Sequence, residues 1–393
     1  MVYKLNKAGN FIEFKNGKSI KPRGSGIFPV YGANGIIGMS DEWKERNSVI
    51  IGRVGAYCGT VQFCREQYWA SDNTIVAYPK DNYTDVVFLY YLLKYAKLNR
   101  WAGGAAQPLI TQAVIKQIEL PHPDIIFQQK IASILSAYDD LIENNTRRIK
   151  ILEEMAQRIY REWFVNFRFP GHEKVKFVNS ELGKIPDGWK VKSIMNDNTW
   201  NFIDENISEY EGKKEYFATA NIEGINIIKD GILVSYNDKP SRAQKQPVLF
   251  SVWFARMKDT YKVLGFTKIN EDIANRSILS SGFAGFKTSE FIFPFIYLTI
   301  NSNEFHQKKD LYCTGATQMS LTNDGLEKIK IIVPNKSIIE DFGKLTLPLI
   351  DKVFVMQKTN KVLRTTRDIL LPKLISGELD VSDLDIAVRE NKI

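Results

Sequence analysis

Residues 131–164 read IASILSAYDDLIENNTRRIKILEEMAQRIYREWF, and the fold turns on this stretch. Ile131, Leu135, Tyr138, Ile142, Asn145, Ile149, Leu152, Ala156, Ile159 and Trp163 recur at alternating steps of four and three. Nine of these ten are apolar or aromatic. That is a heptad seam kept over more than four repeats. It predicts one helix over residues 126–163, about 57 Å long at 1.5 Å per residue. An apolar stripe of that length has to be covered.

Adding 211 to each number gives Phe342, Thr346, Leu349, Val353, Met356, Asn360, Leu363, Arg367, Leu370 and Leu374, seven of them apolar. Each seam holds one Asn, at different heights, and a buried Asn fixes register at a cost in stability. Pro348 and Pro372 predict a second helix that starts late or kinks, and frays at its end. The simplest cover for each stripe is the other helix, lying antiparallel, with a pseudo-two-fold relating the copies and a head at each end. Two independent helical hairpins, or self-association of whole chains, are the alternatives.

The same offset joins sequence outside the helices. Gly104-Ala105-Ala106-Gln107 matches Gly315-Ala316-Thr317-Gln318, and six of the twenty positions from 104 to 123 are identical in the second copy. A repeat of this kind sets the architecture. Each copy has a variable front and a more similar back, dividing the chain at 1–123, 124–180, 181–333 and 334–393. The fronts read as β-rich. Short apolar runs at 27–31, 48–51, 60–63 and 74–77 are separated by Gly, Asn and Pro. One helix is expected in each front, over 86–97 and 291–300, the second broken by Pro294. The fold class is therefore α+β.

Composition is ordinary for a globular chain, with 44% hydrophobic and 25% charged residues among 393. The longest apolar run, 291–300, is too short to span a bilayer, and the N-terminus has no apolar leader. Cys58, Cys64 and Cys313 fit no metal spacing, so free thiols in a cytoplasmic protein are expected. The net charge of +8 favours a polyanionic partner. Residues 1–123 carry most of it, with 15 basic against 9 acidic side chains.

No catalytic motif emerges. There is no Walker-type loop, no GxGxxG after a strand and no Asn-Pro-Pro-Tyr of a base methylase. His122, His172 and His306 lie far apart in sequence. Asp187 with Glu211 and Lys213 mimics a nuclease pattern that is short and common by chance. Equipment for binding is present instead. Lys18, Lys21 and Arg23 cluster with Lys15 beside a Gly- and Asn-rich stretch, 31–38, that reads as a loop and holds Tyr31 and Asn34. Arg53 and Tyr57 sit among glycines at 52–59, and Asn73 and Gln107 offer bidentate amides. In the second front the candidates are Lys239, Arg242, Lys245, Arg256, Arg276 and Gln318. Arg and Lys grip phosphates, Arg forks onto guanine, and Asn or Gln pairs with adenine. Taken one at a time, tyrosines are more often core and glycines more often turns. The ensemble carries the nucleic-acid reading, and a protein-interaction adaptor with two β-rich modules on a coiled coil is the alternative.

Several motifs resemble those of type I restriction-modification specificity subunits, the HsdS family. They are Gln107-Pro-Leu-Ile110, the stretches 123–135 and 139–145, the run 149–164, Leu182-Gly-Lys-Ile-Pro-Asp-Gly-Trp189, and Leu371-Pro-Lys-Leu-Ile-Ser-Gly-Glu-Leu379. The resemblance covers nearly the whole chain. It implies two target recognition domains, 1–123 and 181–333, each followed by a spacer helix, the helices forming an antiparallel coiled coil. It implies that each domain reads half of a split, asymmetric double-stranded DNA target. It implies two methyltransferase subunits docked mainly on the helices, with S-adenosylmethionine, and restriction subunits with ATP-driven translocation and Mg. It implies no catalysis or cofactor in this chain. The second copy lacks the Gln128-Gln129 pair and has Glu340-Asp341 nearby.

Overall fold

The computed structural model describes residues 3–104, 107–195 and 197–386, so Ala105 and Ala106 of the repeated motif lie outside the described residues. Four helices organise it: α1 (Val86–Tyr95), α2 (Ile125–Phe164), α3 (Phe293–Ile300) and α4 (Lys336–Ser376). The chain forms two compact units, residues 1–143 with 361–393, and residues 144–360. Both boundaries fall within the long helices, so each unit contains a section of α2 and a section of α4. No helix among the described residues is long and apolar enough to cross a membrane.

In the first unit a four-stranded antiparallel sheet runs in the order Ile12–Asn16, Thr74–Pro79, Ser48–Gly52, Val61–Cys64. The expected runs at 48–51, 60–63 and 74–77 are thus strands to within two residues. α1 packs on this sheet and buries Phe88, Leu89, Leu92 and Leu93. Its cap is Asp85, whose carboxylate accepts from the Phe88 N–H at 2.8 Å. Gln128, fully buried on α2, binds that cap. Its amide oxygen accepts from the Asp85 N–H at 2.9 Å, and its nitrogen donates to the carbonyls of Pro123 (2.7 Å) and Tyr83 (3.0 Å). A second sheet has the order Gly35–Ser40, Phe28–Gly32, Trp69–Ala70. The stretch 31–38 is therefore a turn between two strands and not a loop. Its glycines shape the tip, while Ile36 continues the ladder opposite Tyr31. Leu5–Lys7 pairs with Glu119–Pro121, closing the front just before α2.

The second unit repeats this plan. Its four-stranded antiparallel sheet has the order Trp200–Ile203, Phe283–Thr288, Ser251–Ala255, Val263–Phe266. A second sheet orders Ile232–Val234, Lys214–Phe217, Ser277–Ser280, Ala243–Lys245. Lys190–Ser193 pairs with Lys330–Val333 and closes the front before α4. All eight residues of α3 are buried, packed between this sheet and the long helices α2 and α4. Pro294 does not break this helix but occupies its first turn. First-turn N–H groups have no intrahelical acceptor, so proline costs nothing there.

Among the twenty predicted seam positions none is exposed. In the second unit, Asn145 Nδ2 donates to Asn360 Oδ1 at 3.0 Å, and Phe164 packs on Phe342 with ring centroids 4.7 Å apart. Numbers that rise along α2 fall along α4, so the two sections are antiparallel. The seam asparagines, at different heights in the two copies, meet because the pairing is reversed. In the first unit Arg367 binds Asp139, whose other oxygen accepts from the Tyr91 hydroxyl at 2.5 Å. There Ile131 and Leu135 of α2 share a core with Leu374 and Ile375 of α4. Pro348 and Pro372 do not delay or shorten α4, which runs from Lys336 to Ser376. Both prolines sit away from fully buried positions, where packing of their neighbours outweighs one lost backbone bond.

A cavity of about 120 Å³ lies among α2, α3 and α4 in the second unit, lined by Leu152, Glu153, Ala156, Tyr297, Leu298 and Val353. Burial pushes the Glu153 carboxyl up to about 7, and the Glu154 carboxylate adds to the shift. The unfolded chain releases this proton near pH 4.3. Between there and pH 7 the folded chain binds more protons, so stability is lost as pH rises through that window. Glu153→Gln is therefore expected to gain thermal stability over the parent at pH 8, and less at pH 5. An equal gain at both pH values in parallel melts refutes the assignment.

Candidate nucleic-acid interface

Arg53 is pinned by its backbone at a crossing of loops. Its N–H donates to the Asn73 carbonyl (2.9 Å), and its own carbonyl accepts from Ile110 (3.0 Å). Gly55 donates to the Pro108 carbonyl at 2.9 Å, and the Thr60 hydroxyl donates to the Ala33 carbonyl at 2.7 Å. These bonds draw together residues 31–35, 52–60, 71–74 and 107–110. Asn34, Tyr57, Asn73 and Gln107 are exposed on these loops, and Arg53 is half-buried among them. Gly52 is required here, since a Cβ would stand 2.5 Å from Tyr57 O and Thr60 Oγ1.

The second unit builds the same crossing. The Arg256 N–H donates to Gly282 O (2.9 Å), the Leu321 N–H to Arg256 O (2.9 Å), and the Lys258 N–H to Met319 O (3.0 Å). Leu321 and Met319 are Ile110 and Pro108 moved by 211. Arg256 thus occupies the place of Arg53. Beside each arginine stands the repeated turn, whose glycine has a positive φ, +90° at Gly104 and +131° at Gly315. A Cβ would lie 2.7 Å from Gln107 O in one and 2.6 Å from Gln318 O in the other. Glycine is obligatory at both for that reason. Thr111 and Thr322 follow as helix caps, accepting from the N–H groups of Val114 and Gly325.

The two arginines differ in their side chains. The Arg256 guanidinium donates to Leu321 O (3.0 Å) and Asn323 Oδ1 (2.7 Å), and burial lowers its pKa against the pull of Asp204. Arg242 is exposed, with its guanidinium beside Gly282 at this same crossing. Gln318 is exposed, its amide reaching the Met257 sulfur at 2.7 Å. Lys245 is not a surface cation. It is 8% exposed, and its ammonium donates to the carbonyls of Asp204 (2.7 Å) and Glu205 (3.3 Å). Those carbonyls belong to an irregular segment that the Ile207 N–H also ties to the Gln244 carbonyl (2.6 Å). Arg276 is exposed on a short helix among Glu215 and Asp272, and Lys239 lies over the Tyr236 ring. Neither is tied to the crossing by any bond described above.

In the first unit Lys18, Lys21 and Arg23 are all exposed. Arg23 pairs through its backbone with Met39, near the far end of the strand that leaves the 31–35 turn, and its guanidinium lies 3.6 Å from the Asp41 carboxylate. The Lys18 N–H donates to Ala70 O, placing it near the 71–74 loop. Tyr31 is half-buried against Tyr68, and burial raises its hydroxyl pKa. The equivalence of Arg53 and Arg256 escaped the sequence comparison because these residues are 203 apart, not 211. Loops of unequal length separate them from the repeated turn. An arginine followed by an apolar residue at the end of an apolar strand, Arg53-Val54 and Arg256-Met257, was the available signal.

Comparison with known proteins agrees with this geometry. The family described as type I restriction modification DNA specificity domain matches residues 3–154. The specificity subunit of the type I restriction enzyme MjaIX of Methanocaldococcus jannaschii is 31% identical over 328 residues, covering 78% of this chain and 72% of that protein. The HindI specificity subunit of Haemophilus influenzae is 23% identical over 381 residues, covering 80% of this chain and 82% of that one. The crystal structure of a type I restriction-modification S subunit from M. genitalium shares the fold, with a TM-score of 0.61 at 16% identity over 95% of this chain and 96% of that chain. With two such fronts, their repeated loop crossings and this similarity over most of its length, the chain belongs to the family of type I restriction enzyme specificity subunits.

Proposed function

We propose that the chain reads a split, asymmetric sequence in double-stranded DNA, one half with residues 1–123 and the other with residues 181–333. Residues 124–180 and 334–393 are the spacers that set the distance between the half-sites and dock two methyltransferase subunits. On this reading the methyltransferase subunits bring S-adenosylmethionine, and the restriction subunits that join them bring ATP and Mg. This chain supplies recognition alone. The observation that carries the reading is the shared placement of Arg53 and Arg256. Two diverged fronts keep one cation at one loop crossing, beside one kind of Gly-to-Gln turn, while the surrounding loops differ. A duplex asks for that combination, because its phosphates are the same everywhere and its base edges are not.

The test is a mobility shift with random-sequence duplex at low and moderate salt. Binding that weakens steeply with salt supports the reading, and no binding at low salt favours the adaptor. Arg53→Ala and Lys21→Ala are each expected to weaken binding and to lower the salt slope by about 0.9, one phosphate contact each. A slope unchanged in either variant removes that residue from the contact set.

A further inference from the structure

The two units share a second feature that the loop crossing does not use. Each carries two consecutive aliphatic residues on the edge strand of its second sheet. In the first unit they are Ile36 and Ile37, 59% and 49% exposed; in the second, Ile232 and Leu233, 57% and 68% exposed. The strands correspond. Gly35–Ser40 lies antiparallel to Phe28–Gly32, which pairs in parallel with Trp69–Ala70. Ile232–Val234 lies antiparallel to Lys214–Phe217, which pairs in parallel with Ser277–Ser280. Neighbouring side chains on a strand point to opposite faces. Ile232 and Leu233 are both exposed, so neither face of their strand is covered there and the edge stands clear of its core. In the first unit the ladder also slips by one residue: Tyr31 faces Ile36 and Val30 faces Gly38, so Ile37 has no partner across the ladder. A slip of this kind re-aims the side chains around it.

An uncovered aliphatic edge invites aggregation unless it has an occupant. The surroundings point to one. Asn34 is exposed at the tip of the hairpin, and the Thr60 hydroxyl ties that tip, through the Ala33 carbonyl, to the crossing that holds Arg53. The major groove admits a two-stranded ribbon. An A·T pair presents there an adenine edge that suits Asn and a thymine methyl that suits an aliphatic side chain. One hairpin tip offers both chemistries beside the Arg53 crossing.

We infer that Ile36 and Ile37 contact thymine 5-methyl groups in the major groove of the half-site read by residues 1–123. This rests on the DNA-reading function proposed above. The test begins by selecting bound duplexes from a random-sequence library with the full chain and its methyltransferase partners. Each thymine of the selected duplex is then replaced by deoxyuridine, which removes only the methyl. At one or more thymines of one half-site, uracil is expected to weaken binding by about fourfold, the equivalent of one buried methyl group. In the Ile36→Ser/Ile37→Ser double variant the same uracil is expected to bind as well as thymine. A library that yields no enriched sequence overturns the DNA reading itself. An enriched sequence whose thymines are all replaceable, or whose half-sites lack thymine, overturns the ribbon assignment alone. So does a uracil penalty that persists in the double variant, or a variant that loses partner subunits while binding DNA as before. Should the double variant fold poorly, the single variants Ile36→Ser and Ile37→Ser make the same comparison, and a uracil penalty undiminished in both overturns the assignment.

Discussion

A chain with seven residues inserted between positions 143 and 144 and seven between 360 and 361 is expected to recognise the same two half-sites across a longer gap. The two points lie at one level of the helix pair, since Asn145 and Asn360 meet there. Seven residues make two turns of the seam, so its apolar face stays in register. They add about 10.5 Å of helix, the length of about three base pairs at 3.4 Å each. The preferred gap is expected to lengthen by up to that amount. Binding is expected to weaken, because three base pairs also turn the second half-site by about a third of a turn. A five-residue insertion is the control. It rotates everything beyond it by about 140° at 3.6 residues per turn and takes the seam out of contact. Methylome sequencing of cells carrying each variant reads the outcome as a methylated motif. A motif with altered half-sites, or with its original gap, refutes the spacer assignment.

The long helices could be read from sequence because a heptad seam repeats one signal many times. From Ile131 to Trp163 the ten positions all proved sheltered, and the observed helix ends within one residue of each expected limit. The prolines misled, at 294, 348 and 372, because a local breaker was weighed without the packing around it. Pro294 sits in a first turn that has no donor to lose, and at Pro348 and Pro372 the tertiary burial of α4 outweighs one missing donor. Of the second sheets only Phe28–Gly32 was legible, in the run 27–31. Strands of two to six residues, such as Trp69–Ala70 and Gly35–Ser40, give too short a pattern to separate from a Gly-rich loop. For the candidate site, charge identified Arg53 and Arg256 but could not show that they are one position used twice. Charge also offered Lys245, whose fate depended on two carbonyls some forty residues away in sequence.

Phe342→Ala is expected to cost the second unit about 3–5 kcal/mol, the usual toll for deleting a buried aromatic ring. Phe342 is fully buried on α4, and its ring packs on Tyr160 (6.3 Å), Trp163 (5.5 Å) and Phe164 (4.7 Å) of α2. Phe164 in turn packs on Phe295 of α3 and on Trp189. One ring therefore joins both long helices to the front of its unit. The space it vacates cannot readily collapse. The next residue, Gly343, lies so close to Phe291 that a Cβ there would stand 1.9 Å from the Phe291 carbonyl oxygen, which fixes the helix backbone in place. Leu345→Ala, at an exposed position of the same helix, is the matched control and is expected to change stability by about 0.5 kcal/mol or less. A chain of two units need not unfold in one step, so the measurement is hydrogen exchange under mild denaturant, read separately for residues 144–360 and for the rest. A loss of less than about 1 kcal/mol in the second unit would mean that the helices are held by the rest of the seam, with the aromatic cluster as filling.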